Sequence, residues 1–145
     1  MSSPIPKKKK RPKQTPLPSL IAKADKLASQ YIRRKHADHA GNVKCVSCET
    51  VLPWKESHCA HFVERGKKAT RWIEENLWPA CPSCNVYRKE HHMRIYTLHM
   101  IDCYGREKVD ELNALAKQVL APSQVRQLAE EAIAYYSAAL KELTG

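Results

Sequence analysis

Two short cysteine motifs, CVSC at 45–48 and CPSC at 81–84, enclose the part of the chain that decides its fold. Each motif brings two sulfur atoms to one side of a tight loop, and two such loops close a tetrahedron around zinc at Zn–S distances of about 2.3 Å. The spacing therefore predicts one structural zinc site. Its expected ligands are Cys45, Cys48, Cys81 and Cys84.

Disulfides or buried free thiols are the alternatives to zinc. The chain begins Met-Ser-Ser-Pro-Ile-Pro and continues with lysines, so it shows no apolar signal segment of the kind that accompanies disulfide-rich secreted proteins. We therefore expect reduced thiols and favour zinc. Cys59 and Cys103 have no partner at ligand spacing, and we expect both to be small buried apolar residues.

The positive charge is concentrated at the N-terminus. The chain has 145 residues and a net charge of +10, which favours one domain with appendages. Residues 1–35 carry eleven Lys or Arg and one acid, whereas residues 36–145 carry fourteen of each sign. The run KKKKRPK at 7–13 favours a polyanion, most simply nucleic acid, although a solvated tail is the alternative. No apolar run is long enough to cross a membrane, so we expect no membrane partner.

Apolar residues at three- and four-residue spacing predict an α+β, mainly helical chain with flanking N- and C-terminal helices. The expected divisions are a disordered basic tail (1–18), an N-terminal helix and linker (19–44), a zinc-bound core (45–104) and a C-terminal helical region (105–145).

Helix ends and the core elements can be predicted in more detail. Ser19 and Ser123 are the expected caps of the first and last helices, and Arg33, Arg34 and Lys35 suit the dipole at the end of the first. The remaining predictions are a buried connection at 51–54, a strand at 58–62, a helix from about 85 to 103 and a helix from 106 to about 120.

The residues between and after the cysteine pairs resemble those of known nucleases. A histidine-bearing strand, then Asn76-Leu77, then Cys81-x-x-Cys84-Asn85 and a helix, resembles the HNH (ββα-metal) nucleases. The longer string that includes His61-Phe62-x-x-Arg65-Gly66 resembles the lambdoid phage NinG/Rap recombination endonucleases over about residues 45–115. The order of cysteines, histidine and asparagine is also similar to that of phage T4 endonuclease VII, a Holliday-junction resolvase.

These resemblances imply a zinc-stapled ββα-metal core and a metal-dependent endonuclease that cuts branched recombination intermediates such as Holliday junctions and D-loops. They imply a phage protein that acts in the bacterial host cytoplasm, with branched DNA, a homodimer partner and recombination proteins as its expected contacts. Within the motif, His61 matches the general base. Asn76 matches the asparagine that braces the loop carrying this base, and Asn85 matches a ligand of catalytic Mg²⁺ or Mn²⁺.

The chain departs from the HNH pattern at two positions. Ala60 stands where many HNH enzymes place an aspartate ligand, and His58 is the nearest substitute because alternate strand residues project to one side. NinG-like sequences carry an asparagine where this chain has His91. We therefore expect His58, Asn85 and His91 to bind the catalytic ion, with His92 as a rival to His91.

Basic residues around the motif favour contacts with DNA phosphates, although ordinary solvated charge is the alternative for each one. A non-catalytic zinc-finger module and an HNH nicking or restriction nuclease are the alternative functions. The cations that we expect to contact DNA are Lys7, Lys8, Lys9, Lys10 and Arg11 in the tail and Arg65, Lys67, Lys68, Arg71, Arg88 and Lys89 around the motif.

Overall fold

A computed structural model describes residues 3–7 and 13–145, and it shows the α+β organisation that the sequence predicts. Within these residues, five α-helices and four short strands follow one another. They are α1 (Leu17–Lys35), β1 (Asn42–Lys44), β2 (Val51–Pro53), β3 (His58–His61), β4 (Leu77–Ala80), α2 (Pro82–Val86), α3 (Lys89–Tyr104), α4 (Arg106–Leu115) and α5 (Pro122–Thr144).

Two antiparallel hairpins bring the cysteine pairs together. β1 pairs with β2, and the first cysteine pair lies in the turn between them, where the Cys45 amide donates to the Thr50 carbonyl over 2.9 Å. β3 pairs with β4, and the second cysteine pair follows β4 directly. The Val46 amide donates to the Pro79 carbonyl at 3.1 Å, so a backbone bond joins the first turn to β4.

The apolar side chains form two cores. The first surrounds the cysteine turns and includes buried residues of α3 and α4 such as Tyr96, Met100 and Leu112. The second lies between α1 and α5, where small residues such as Ala28 and Ala129 allow the two helices to pack closely. The C-terminal helical region is therefore divided, because α4 packs on α3 and α5 packs on α1.

The helix starts differ from those predicted. α1 begins at Leu17, before Ser19, and Pro18 occupies its first turn, where a residue without an amide proton leaves no hydrogen bond unmade. α5 begins at Pro122, and the Gln124 side chain accepts the Ala121 amide over 2.8 Å. Neither serine therefore caps its helix, because each helix begins before its serine, with Pro16 at the N-cap position of α1 and Ala121 at that of α5.

Three further elements differ from the prediction. The expected helix over 85–103 is two helices, α2 and α3, separated at Tyr87 and Arg88. The expected buried connection at 51–54 is strand β2 followed by a 3-10 turn, and Val51 is 60% exposed. α4 ends at Leu115, short of the predicted end near 120.

The two cysteines outside the paired motifs differ in their exposure. Cys59 packs half-buried against the second core, but Cys103 is exposed near the end of α3, against the expectation that it is buried. The predicted disordered tail lies partly outside the described residues. None of the helices within 3–7 and 13–145 combines the length and the apolar composition that a bilayer crossing requires.

Tyr136 joins α5 to the loop before β4. Its hydroxyl donates to the Trp72 carbonyl over 2.7 Å and its side chain is 1% exposed. Tyr136→Phe leaves this carbonyl without a partner, so we expect the free energy of unfolding to fall by about 1–2 kcal/mol. Chemical denaturation measures the change.

The neighbouring tyrosine provides the matched control. Tyr135 is 52% exposed and its hydroxyl donates to Glu74 at the surface. Tyr135→Phe should therefore change the free energy of unfolding by less than about 0.5 kcal/mol. Equal losses in the two variants would contradict the buried bond.

His36 at the end of α1 packs on the Trp78 ring, with 4.1 Å between ring centroids. Burial, aided by Lys35, lowers its pKa to about 4. The unfolded chain, with the ordinary value near 6.5, therefore takes up this proton first, and folding free energy is lost as the pH falls from about 6.5 towards 4. We expect this residue alone to cost about 1–2 kcal/mol between pH 7 and pH 5.

Denaturation of the wild type and of His36→Gln at both pH values measures this loss. The variant lacks the titrating ring, so its stability should depend less on pH by that amount. His39→Gln removes an exposed histidine and should keep the wild-type dependence. A variant that loses as much stability as the wild type in acid would contradict the assignment.

Candidate metal centre and histidine groove

The sulfur atoms of Cys45, Cys48, Cys81 and Cys84 lie within 4.8 Å of one another. The Cys48 and Cys81 sulfurs are 3.7 Å apart. This separation is far longer than a disulfide bond of about 2.05 Å. It agrees with the roughly 3.8 Å edge of a tetrahedron whose Zn–S distances are about 2.3 Å. The four sulfurs therefore fit a metal ion such as zinc.

Neighbouring groups orient these sulfurs. The Cys84 amide donates to the Cys81 sulfur at 3.5 Å, so the start of α2 holds one ligand. The Ser47 hydroxyl lies 3.5 Å from the Cys45 sulfur and 2.9 Å from His92 Nδ1. His92 is buried and therefore belongs to the surroundings of the cysteine cluster through Ser47.

The four thiols oppose one another electrostatically. Burial is the largest effect and raises the pKa of Cys81 to about 12; the Cys84 amide opposes this rise, and the thiols of Cys84 and Cys48 add to it. Burial also disfavours the Cys45 thiolate, but nearby amides and Ser47 outweigh it and lower that pKa to about 6. A divalent cation removes this conflict, because it stabilises all four thiolates at once.

The histidines of β3 line a groove beside this cluster. The groove consists of two adjoining clefts of about 370 Å³ and 880 Å³. Both are lined by His58, Cys59, His61, Arg65 and Asn85. We call these clefts together the histidine groove. The structure therefore brings together three of the predicted catalytic and metal-binding residues, His58, His61 and Asn85, and Asn85 directly follows the second cysteine pair.

His58 and Asn85 are in direct contact in the groove. His58 Nδ1 lies 3.2 Å from Asn85 Nδ2. The amide of Asn85 can be turned by 180° without a change of shape, so either its oxygen or its nitrogen can face the imidazole. The pair thus offers an imidazole nitrogen and an amide oxygen at one point of the groove.

The imidazole of His61 is neutral at neutral pH. Burial is the largest effect and lowers its pKa to about 4, and the charges of Arg71 and Arg65 act in the same direction. Asp25 opposes them by favouring the protonated ring. A neutral imidazole keeps a lone pair free, and this lone pair is what proton abstraction requires.

Asn76 fixes the loop that follows β3. Its side chain is completely buried. Its oxygen accepts the Val63 amide over 2.8 Å, and its amide group donates to the carbonyls of Val63 and Thr70 over 3.2 and 3.0 Å. The backbone carbonyl of Asn76 accepts the Phe62 amide over 2.8 Å. Asn76 thus braces the loop between β3 and β4 through its side chain and its backbone.

Helix α1 forms a wall of the groove, which the residue patterns of the sequence do not predict. Asp25 accepts two bonds from Arg71, over 2.9 and 2.6 Å, and one from Trp72 Nε1 over 2.9 Å. Burial raises the pKa of Asp25, but these bonds outweigh it and lower the pKa overall. The signal in the sequence was that Asp25 is the sole acid among residues 1–35.

The ion pair with Asp25 holds the side chain of Arg71 inside the protein, where it is not available to DNA. Its side chain is buried, and it donates to Asp25 and to the Arg65 carbonyl, over 3.0 Å in the latter case. Arg71 was predicted to contact DNA, but the structure turns its guanidinium inward, towards α1. It therefore holds the loop against α1.

The other predicted residues lie in several places. Arg65, Lys67 and Lys89 line the histidine groove. His91 is exposed and lines a separate cleft with Arg88, so the structure does not bring it together with His58 and Asn85. Lys68 is half-buried beside α5 and Lys7 is exposed. The remaining predicted cations, Lys8, Lys9, Lys10 and Arg11, lie outside the described residues.

The cysteine cluster predicts one tightly held metal ion per chain. Cys84→Ser removes a buried ligand, so we expect loss of bound zinc and unfolding of the two turns, since such sites contribute on the order of 10 kcal/mol. Elemental analysis and thermal denaturation measure both effects. Cys103→Ser, at an exposed cysteine outside the cluster, should retain the zinc and the wild-type melting temperature. Retention of zinc by Cys84→Ser would contradict the assignment.

Comparison with known proteins identifies a family. A family model described as bacteriophage lambda NinG protein matches residues 5–145. No curated protein and no solved structure matches the chain. The match extends from the tail through α5 and includes the cysteine cluster and the histidine groove. The chain therefore belongs to the NinG family of bacteriophage proteins.

Proposed function

We propose that the protein is a metal-dependent, structure-selective DNA endonuclease that cuts branched recombination intermediates such as Holliday junctions and D-loops. The observation that carries this proposal is the histidine groove, in which His58, His61 and Asn85 meet beside the cysteine cluster. The order β3, β4, α2, with Asn76 holding the loop between the strands, supports an HNH (ββα-metal) interpretation of the core. The likeness to T4 endonuclease VII belongs to the same proposal.

In this mechanism His61 is the general base. Its neutral imidazole takes a proton from a water molecule as the water oxygen attacks the scissile phosphorus, and the bond to the 3′ oxygen breaks. Asn76 keeps the loop after β3 in place, so the imidazole stays at one position in the groove. The half-buried ring is unprotonated at neutral pH, so its lone pair is available to the proton of the water molecule.

His58 and Asn85 would hold the catalytic Mg²⁺ or Mn²⁺. The ion would neutralise charge that develops on the phosphate and the leaving oxygen. The pair supplies one imidazole nitrogen and one amide oxygen, and a nitrogen ligand favours Mn²⁺ over Mg²⁺, which binds almost entirely through oxygen. The position of His91 in a separate cleft leaves the third ligand to another group or to water.

Cations in the histidine groove support a DNA substrate. Arg65, Lys67 and Lys89 line it, and such side chains track a phosphate backbone without reading bases. Branched DNA as the preferred substrate follows from the family resemblance. Resolution of a four-way junction needs paired incisions, so we propose a homodimer. The family resemblance further suggests that it acts in the cytoplasm of the bacterial host together with recombination proteins.

Cleavage of labelled four-way junctions, D-loops and plain duplex in Mg²⁺ and in Mn²⁺ tests the role of His61. His61→Ala removes the base, so we expect the cleavage rate to fall by at least about 100-fold while the dissociation constant for the junction changes less than about twofold. His39→Ala, at an exposed histidine outside the groove, should cleave at the wild-type rate.

The same assay separates the alternatives. Binding of the wild type without cleavage of any substrate would favour a non-catalytic zinc-finger module. Equal cleavage of duplex and branched DNA would favour an HNH nicking or restriction nuclease. A cleavage rate near that of the wild type in His61→Ala would remove His61 from the catalytic role.

A further inference from the structure

Three cations surround one tryptophan beside the groove. Trp54 begins the 3-10 turn after β2. The Cζ atoms of Arg33 and Arg34 lie 5.4 and 5.2 Å from the centroid of its ring, and Lys55 Nζ lies 5.8 Å away. We call these four residues the Trp54 cluster. Each cation is within the range of a cation–π contact, which is worth about 0.5–1 kcal/mol at a partly exposed site.

No acid in the described part of the chain forms an ion pair with a cation of the Trp54 cluster. The ion pairs found within residues 3–7 and 13–145 are Lys35–Glu74, Arg71–Asp25, Lys108–Glu111 and Arg126–Glu130. None of them includes a cation of the cluster. Three like charges beside one ring repel one another, and an anionic partner would relieve this repulsion.

Hydrogen bonding separates a fixed cation from two available ones. Arg33 donates to Ser29 through Nε and to the carbonyls of Trp54 and Ser57 through Nη1, so its guanidinium is held in place. Among the described residues, no side-chain hydrogen bond engages Arg34 or Lys55. The donors of these two side chains are therefore available to a ligand.

The Trp54 cluster is continuous with the histidine groove. Arg33 and Ser57 line the smaller cleft of the groove together with His58 and His61. A polymeric ligand that lies across Arg34 and Lys55 therefore reaches the histidines past Arg33. This continuity favours a polymer that extends from the groove, with negative charge at regular intervals.

We infer that the Trp54 cluster binds the phosphate backbone of the DNA arm that enters the histidine groove. This inference rests on the proposed function, because it takes DNA as the ligand. The guanidinium of Arg34 lies over the indole, with Cζ 5.2 Å from the ring centroid, and it makes no side-chain hydrogen bond within the described residues, so its N–H donors can bind phosphate oxygens. Lys55 supplies a second point charge, and Arg33 fixes the end of the site nearest the histidines.

Salt-dependent binding to a four-way junction tests the inference. Arg34→Gln/Lys55→Gln is compared with its parent, both carrying His61→Ala so that the DNA is not cut, and fluorescence anisotropy is measured between about 50 and 200 mM salt. The slope of log K against log salt is negative, and each phosphate contact contributes about −0.9 to it, so the slope should become less steep by about 1.8 in the double variant. Affinity near 100 mM salt should fall by about tenfold or more.

Arg106→Gln/Lys117→Gln is the matched control. It also removes one arginine and one lysine, both exposed and neither in the lining of the groove or of the cleft beside His91. Its slope should stay within about 0.5 of the parent, and its affinity within about twofold. Zinc content and melting temperature are measured for every variant, so loss of the fold is separated from loss of contact.

The outcomes separate this inference from the proposed function. A slope for Arg34→Gln/Lys55→Gln equal to that of the control would overturn the inference, as would a parent chain that binds no DNA. Failure of the wild-type chain to cut any DNA would instead contradict the nuclease. In that case the salt slopes would still decide whether the Trp54 cluster contacts phosphates.

Discussion

Four thiol groups crowd together where two hairpins meet, and this crowding organises the rest of the molecule. Neutral thiols gain little from such closeness and four thiolates would repel one another, so the arrangement fits a bound cation such as zinc. The cluster fixes the turn between β1 and β2 against the start of α2. Because α2 carries Asn85 one residue after Cys84, the same constraint sets the position of Asn85 opposite the histidines of β3.

A second set of buried contacts acts on the other side of the groove. Asn76 satisfies three backbone groups of the loop after β3, and Asp25 holds Arg71 and Trp72 of the same loop against α1. None of the four clustered cysteines lies in this loop, and side-chain hydrogen bonds hold it instead. His61 thus lies between a part held by sulfur and a part held by an amide and a carboxylate.

The sequence predicted individual helices and the cysteine cluster better than it predicted contacts between residues far apart in the chain. The cysteine spacing predicted the cluster, and periodicity predicted α1, α4 and α5, because both signals lie in short stretches of sequence. The inward turn of Arg71 could not be predicted, since it depends on Asp25, 46 residues away. The same is true of Trp54: its place beside Arg33 and Arg34 follows from contact between α1 and the 3-10 turn that Trp54 begins. In isolation, those arginines matched an ordinary helix end.

The extent of the family match agrees with this division of the site. If β3, β4 and α2 alone formed the groove, a family match over the zinc-bound core at 45–104 would be expected. The NinG family model instead matches residues 5–145. The structure gives a physical reason. α1 supplies Asp25 and Arg33 to the groove wall, and α1 is itself held by packing along α5. Removal of α5 would expose the apolar face of α1, including Ala28 and Ile32, so the last helix supports the groove without lining it.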